Sequence, residues 1–292
     1  MNQFKEKLIA LLHYPNCSWN YVFQLLKKDP TLTSFLPYQP IKLSHSVSST
    51  SEKISSQSSR SFFYPEAIHD QIRQYKTNDI YVITYFDKEY PHYLKEIYQP
   101  PWALFVKGDL SILKKEPKLA VVGSRQATQY GKNAIRLLFP KLVENNVIIV
   151  SGLAKGIDAL AHEHAIKNGG QTIGVIAGGF YHLYPKENQQ LALEMMRTQL
   201  VVSEYPPDTK PQRWHFPARN RIISGLSRGT LIVEAKQKSG SLITANYAVN
   251  EGREVFSLPG SIFNPFSQGT NDIIQQGAKL ITKAEDILEE IR

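Results

Sequence analysis

The chain has one cysteine, Cys17, among its 292 residues. A lone thiol closes no internal disulfide, so cross-links do not hold this fold, and a reducing compartment suits it. Long apolar runs are missing too. No stretch approaches the roughly 18 consecutive apolar residues of a membrane-crossing helix. The opening segment MNQFKEKLIALLHY has an apolar run too short for a secretory core and no small-residue cleavage site. The expectation is a cytoplasmic protein with no membrane partner. Two phosphate-binding signatures are also absent. No G-x-G-x-x-G follows the first strand of the winding region, and no acid ends the run 147–150 to hold a ribose. GSRQATQYGKN has the wrong spacing for a Walker A loop and lacks Ser or Thr after Gly131-Lys132. Dehydrogenase and ATPase chemistry are therefore set aside, and no cofactor is expected.

What is present is positive charge. Lysine and arginine total 34 against 26 acids, a net charge of +8 with a pI near 9.3. That balance favours polyanions or acidic surfaces as partners but says nothing about fold. At 42% hydrophobic residues there is material for a real core.

Residues 1–36 read as helical, with Phe4, Leu8, Leu11, Leu12, Val22, Phe23, Leu25 and Leu26 at helical spacing. The run 44–61, SHSVSSTSEKISSQSSRS, holds ten serines in eighteen positions. That composition cannot bury apolar area and reads as a loop or linker. A short helix is expected at 65–76, and a domain boundary near 77–80. From residue 80 the texture changes. IYVITYF and ALFVKGD read as strands. Apolar runs at 118–123, 147–152, 172–178, 200–205, 230–235, 254–260 and 278–281 follow, almost all separated by helix-compatible segments. Continuous apolar strands alternating with helices predict an α/β fold with a mostly parallel sheet covered on both faces.

Glycines fall at the ends of these strands, in Gly123-Ser124-Arg125, Ser151-Gly152 and Gly178-Gly179. In a parallel sheet such turns converge on one edge, where open α/β sheets bind ligands. The helix N-terminus after each turn offers free N–H groups to phosphate. Ser239-Gly240-Ser241 adds a fourth such turn. Six basic side chains crowd into 213–238: Arg213, Arg219, Arg221, Arg228, Lys236 and Lys238, against the one acid Glu234. Trp214 and Phe216 sit among them. Phe180, Tyr181, Tyr184 and Lys186 follow the strand at 172–176. Cations beside flat rings on a rigid edge suit a single nucleic-acid strand, with phosphates on the cations and bases stacked on the rings.

Weaker signals read first as structure. Asp158 and His162 lie four apart on one helix face, with His164 nearby, but no third metal ligand accompanies them. Glu204 and Glu234 end strands at the presumed crevice. Either is a candidate general base, and either serves equally well as a structural carboxylate.

These residues resemble a known family. GSR at 123–125, SGLAKGIDALAH at 151–162, YPK at 184–186, SEYPP at 203–207, HFPARNRIISGLS at 215–227 and EAKQKSGSLIT at 234–244 are similar to the DNA-processing protein DprA, or Smf, family. The resemblance covers roughly 80–285. It implies an extended Rossmann-like fold preceded by a small, sterile-alpha-motif-like helical domain. The corresponding limits here are 1–78 and 79–292. It implies a non-catalytic protein that binds single-stranded DNA, protects incoming strands in natural transformation and loads the RecA recombinase. It also implies a homodimer. By position, Arg125 is the phosphate-contacting arginine, Lys186 a basic DNA contact and Phe216 a base-stacking aromatic. Arg213 stands where a lysine is common, and it keeps the charge. The candidate DNA-binding set is Gly123, Ser124, Arg125, Gly152, Lys155, Gly178, Gly179, Phe180, Lys186, Arg213, Phe216, Arg219, Asn220, Arg221, Ser239, Gly240 and Ser241. Two departures stand out. The serine-rich run interrupts the helical domain, and the winged helix that ends many relatives is not part of these residues. A second reading is enzymatic: GLSRGTLIVEA at 225–235 faintly resembles the glycine-rich element of cytokinin-activating nucleotide hydrolases, with Gly229-Thr230 and Glu234 retained. A third is an assembly protein whose basic face meets an acidic partner.

Overall fold

The computed structural model describes residues 3–14, 17–34 and 65–291. The serine-rich run at 44–61 lies outside them. The chain divides into two compact units, Met1–Asn78 and Asp79–Arg292.

The first unit carries three described helices, α1 (Gln3–Leu12), α2 (Trp19–Lys28) and α3 (Pro65–Thr77). Helical spacing buries Leu8 and Leu11 of α1, Val22 of α2, and Ile68, Ile72 and Tyr75 of α3. Ser18 caps α2 by accepting from the Tyr21 N–H.

The second unit opens with β1 (Ile80–Thr84), α4 (His92–Lys95), β2 (Ala103–Gly108) and α5 (Ser111–Lys114). The winding then begins: β3 (Lys118–Val122), α6 (Gln129–Glu144), β4 (Ile148–Ser151), α7 (Ile157–Lys167), β5 (Thr172–Ile176), α8 (Gln189–Thr198) and β6 (Leu200–Ser203). It resumes on the other side with α9 (His215–Gly225), β7 (Gly229–Ile232), α10 (Gly240–Asn250), β8 (Glu254–Ser257), α11 (Pro265–Gln275), β9 (Lys279–Leu280) and α12 (Glu285–Ile291).

All nine described strands form one sheet in the order β1-β2-β6-β5-β4-β3-β7-β8-β9. From β6 to β9 every pair is parallel, and β2 pairs antiparallel with both β1 and β6. The expected α/β fold, Rossmann-like and extended by an antiparallel pair at one edge, is what forms. Strand alternation explains the two faces. Leu119 and Val121 of β3 join the core under α6, α7 and α12, while Ala120 and Val122 join the core under α4, α9 and α10. Both faces are buried, so the strands read as unbroken apolar runs rather than alternating ones. The chain leaves β3 toward β4 on one side and returns to β7 on the other. The order therefore reverses between β3 and β7, and a crevice opens there at the strand carboxyl ends.

Candidate nucleic-acid interface

A cleft of about 730 Å³ lies at that reversal point. Gly123, Ser124 and Arg125 enter it from the end of β3, and Lys236 from the end of β7. Ser239, Gly240 and Ser241 bring the start of α10, while Arg213, Phe216, Arg219 and Asn220 bring the start of α9. Tyr184 lines it from the segment after β5. A smaller recess of about 40 Å³ adjoins it, lined by Arg125, Gly152, Lys155, Tyr184, Phe216 and Arg219. Arg125, Arg213 and Lys236 are exposed. The cleft thus faces solvent with three cations and no exposed carboxylate in its lining. Asp158, its one acid, is 6% exposed.

Flat side chains stand beside these cations. The Arg125 guanidinium lies 6.0 Å from the Phe216 ring centre, within cation–π range. Tyr184 meets Phe216 edge-on at 5.6 Å between centroids. Trp214, next in sequence to Arg213, is 68% exposed. Lys186 is exposed two residues after Tyr184, at the start of a 3-10 turn. Arg125, Lys186 and Arg213 therefore share the carboxyl rim.

Beneath the cleft the chemistry is different. Arg219 is buried, and its Nη1 donates to Gly152 O at 2.5 Å and Val175 O at 2.7 Å. Burial pushes the Asp158 carboxyl above its ordinary range, against the pull of the Arg219 charge and backbone N–H donors. The two charges brace the ends of β4 and β5 and the start of α7. Gly156, just before α7, adopts φ 77°, and a Cβ there would run into Ser124 O. That close approach seats the Gly123–Arg125 turn on the start of α7. His162 is buried, and its Nδ1 lies 2.7 Å from Thr172 Oγ1. Burial and the Arg219 charge lower its pKa to about 3. Asp158 and His162 thus brace the interior, as their spacing without a third ligand suggested.

Residues 81–292 match the family model for DNA recombination-mediator protein A. The chain belongs to that family. The DNA processing protein DprA of Bacillus subtilis is 52% identical over 229 residues, 78% of this chain and 77% of that protein. DprA of Streptococcus pneumoniae is 51% identical over 204 residues, 70% of this chain and 72% of that protein. The X-ray structure of the pneumococcal protein superposes with a TM-score of 0.71 at 45% identity, covering 78% of this chain and 82% of that one. A structure of DNA processing protein A from Helicobacter pylori, described for its single-stranded DNA binding mode, superposes with a TM-score of 0.66 at 30% identity and covers 73% of this chain and 97% of that one.

Within this DprA-type fold the sequence cluster at 213–238 does not stay together. Arg219 lines the cleft but donates inward, to Gly152 O and Val175 O. Arg221 ion-pairs with Glu204 at 2.5 Å, its side chain 11% exposed, and lines neither cleft nor recess. Arg228 precedes β7, at the opposite end of the sheet. There its guanidinium lies 5.7 Å from the Tyr93 ring centre and 3.9 Å from Glu116. Phe180 is 6% exposed and offers no stacking face. Gly178 and Gly179 lie under the segment 206–211: Gly179 N donates to Thr209 O at 2.7 Å, and a Cβ on Gly179 would strike Pro207 O. Those glycines serve chain-on-chain packing, not ligand approach. Lys155 ion-pairs with Glu187 at the mouth of the smaller recess. Glu234 is 1% exposed, accepting from Thr128 N at 3.0 Å and from Thr128 Oγ1. It anchors the first turn of α6 and shows no free edge to the cleft. Tyr184 and Lys236 line the cleft although the candidate set omits them. Their signal was the position of each just past a strand end.

Proposed function

We propose that the carboxyl rim of the second unit binds single-stranded DNA without reading its sequence. Arg125, Arg213 and Lys236 take phosphates, and Phe216 and Tyr184 take bases. One observation carries this reading: a solvent-facing guanidinium and two rings in mutual contact at the reversal point, beside the exposed start of α10. A base laid on a ring keeps its Watson–Crick edge outward, so affinity depends on charge and stacking rather than on sequence. The Ser239–Ser241 segment adds backbone N–H groups at a helix start, where phosphate is favoured. Kinship with the Helicobacter pylori protein supports the same ligand.

Within this reading the chain acts in the cytoplasm as a homodimer that covers incoming strands during natural transformation and hands them to a RecA-type recombinase. It catalyses no reaction. The carboxylate that a nucleotide hydrolase would need, Glu234, is committed to Thr128, which weighs against the enzymatic alternative. The test is a mobility-shift titration with wild type and the double variant Arg125→Glu, Lys186→Glu. Wild type binds an oligonucleotide in the absence of any protein partner. The variant melts at the same temperature and leaves the strand unshifted. Equal affinity in the two proteins would remove the site. Binding only when an acidic protein is added would favour the assembly reading instead.

A further inference from the structure

The loop after β8 presents two large apolar side chains to water. Ile262 is 75% exposed and Phe263 is 90% exposed. They are held in place rather than left slack. Tyr130 Oη donates to Pro259 O at 2.5 Å. Asn271 Nδ2 donates to Gly260 O at 3.0 Å and its Oδ1 accepts from Gly260 N at 3.2 Å. Phe263 N donates to Ser261 Oγ at 3.3 Å, and Asn264 caps α11 by accepting from Phe266 N at 3.0 Å. A braced loop that keeps a phenyl ring in solvent is arranged for an occupant.

The position of the loop identifies the class of occupant. It leaves the carboxyl end of β8, two strands along the rim from β3. Lys236, which lines the cleft, has its ammonium 4.6 Å from the Phe266 ring centre. The Ala235 N–H donates to Phe266 O at 2.8 Å, fixing this loop to the end of β7. The cleft, Lys236 and the loop are thus contiguous. From residue 258 to 271 the sequence has no acidic side chain, so no fixed negative charge in that segment opposes phosphates.

We infer that Phe263 is a further base-stacking contact, extending the single-strand path from the cleft over Lys236 to the end of β8. Ile262 shields the outer face of that stacked base. The inference rests on the single-strand reading of the cleft. From the end of β3, where Arg125 meets Phe216, to β8 the rim crosses two strand spacings, about 10 Å at ~4.8 Å each. A strand lying there meets Tyr184 and Phe216 near one end and Phe263 at the other. Stacking at Phe263 adds affinity without adding a cation.

The experiment measures fluorescence anisotropy with oligothymidylates of about two and about twenty nucleotides. It compares wild type, Phe263→Ala, Phe263→Trp and Arg125→Glu across a salt series, with melting temperatures taken alongside. Phe263→Ala is expected to weaken binding of the long strand about tenfold, within the range for one stacked base. Its salt slope stays that of wild type, because no phosphate contact is lost. Phe263→Trp restores the affinity, and the short strand, too short to leave the cleft, binds wild type and both Phe263 variants equally. Wild-type affinity in Phe263→Ala, with binding lost in Arg125→Glu, overturns this inference and leaves the cleft standing. A change in sedimentation of Phe263→Ala with no change in strand binding makes the loop a protein contact and also overturns it. No strand binding by wild type overturns both readings together.

Discussion

Arg219 donates inward to two backbone carbonyls beside the buried Asp158, whereas Arg125 stands in solvent against the ring of Phe216. Both are arginines of one cleft, and their environments set opposite consequences. Removing the buried cation leaves Asp158 uncompensated and two carbonyls without donors. Arg219→Ala is therefore expected to cost about 3–5 kcal/mol of unfolding free energy, read from a urea midpoint. Arg219→Lys recovers little of it, because the shorter lysine does not bring its ammonium to the position from which Nη1 reaches both carbonyls. Arg125→Ala leaves the midpoint in place and weakens strand binding. The same interior sets a pH response through His162. Its folded pKa, about 3, lies below the ordinary 6.5, so the unfolded chain takes up a proton across that window and the native chain does not. Stability from this group is complete above pH 6.5 and is lost as pH falls toward 3. Between pH 6.5 and 4.5 the loss is about 2–3 kcal/mol, at ~1.4 kcal/mol per unit. His162→Leu should show a shallower decline than wild type over that window. Thr172 Oγ1 remains satisfied in the variant, since it also donates to Ile149 O at 2.8 Å. Parallel declines would mean that other groups carry the acid sensitivity.

The turns at the strand ends divide into two kinds that look alike as text. Gly179 is pressed under the 206–211 segment, whereas a Cβ on Gly240 meets nothing within 4 Å. Gly179→Ala drives a methyl into Pro206 and Pro207 carbonyls and is expected to lower the melting temperature by roughly 5–10 °C. Gly240→Ala, at the open start of α10, leaves the fold intact and gains up to about 1 kcal/mol of helix propensity. It is still expected to weaken strand binding severalfold, by placing a methyl where the proposed strand's phosphate would approach the backbone. Unchanged affinity in Gly240→Ala would remove α10 from the interface. The strands and their parallel order were legible because two-sided burial leaves continuous apolar runs, and a glycine turn follows several of them. The partners of individual side chains were not legible. Arg221 and Arg228 sit in the basic sequence cluster, yet Glu204 claims one and the Glu116 and Tyr93 pair claims the other from the far end of the sheet. Helix α9 disperses that cluster. Its successive arginines point along different radii, and β7 then carries the chain back across the sheet. Linear charge density cannot encode such a division. Glu204 and Glu234 likewise gave no sequence sign that Arg221 and Thr128 would occupy them.

The net charge of +8 is spread over the chain, and among the described residues the proposed strand would be met by the cations of one rim. Arg125, Arg213 and Lys236 line the cleft, with Lys155 and Lys186 beside it. Each phosphate held by one of them releases counterions, at a slope of about −0.7 per contact for a single strand. Three to five contacts give a slope of about −2 to −3.5 in log affinity against log salt. Between 50 and 200 mM salt the affinity for a long oligonucleotide should then fall about 20- to 130-fold. A slope far steeper would mean that the strand runs onto basic surface beyond the rim. Lys186→Ala reduces the slope by roughly one contact, while Phe216→Ala lowers affinity at every salt concentration and leaves the slope alone. Duplex DNA offers the same phosphates but keeps its bases stacked on one another, so it gains nothing from Tyr184 and Phe216. Single strands should consequently bind more tightly than duplex at every salt concentration, and the gap should narrow in Phe216→Ala. Equal affinities in wild type would mean that charge alone holds the nucleic acid and that the rings on the rim have another purpose.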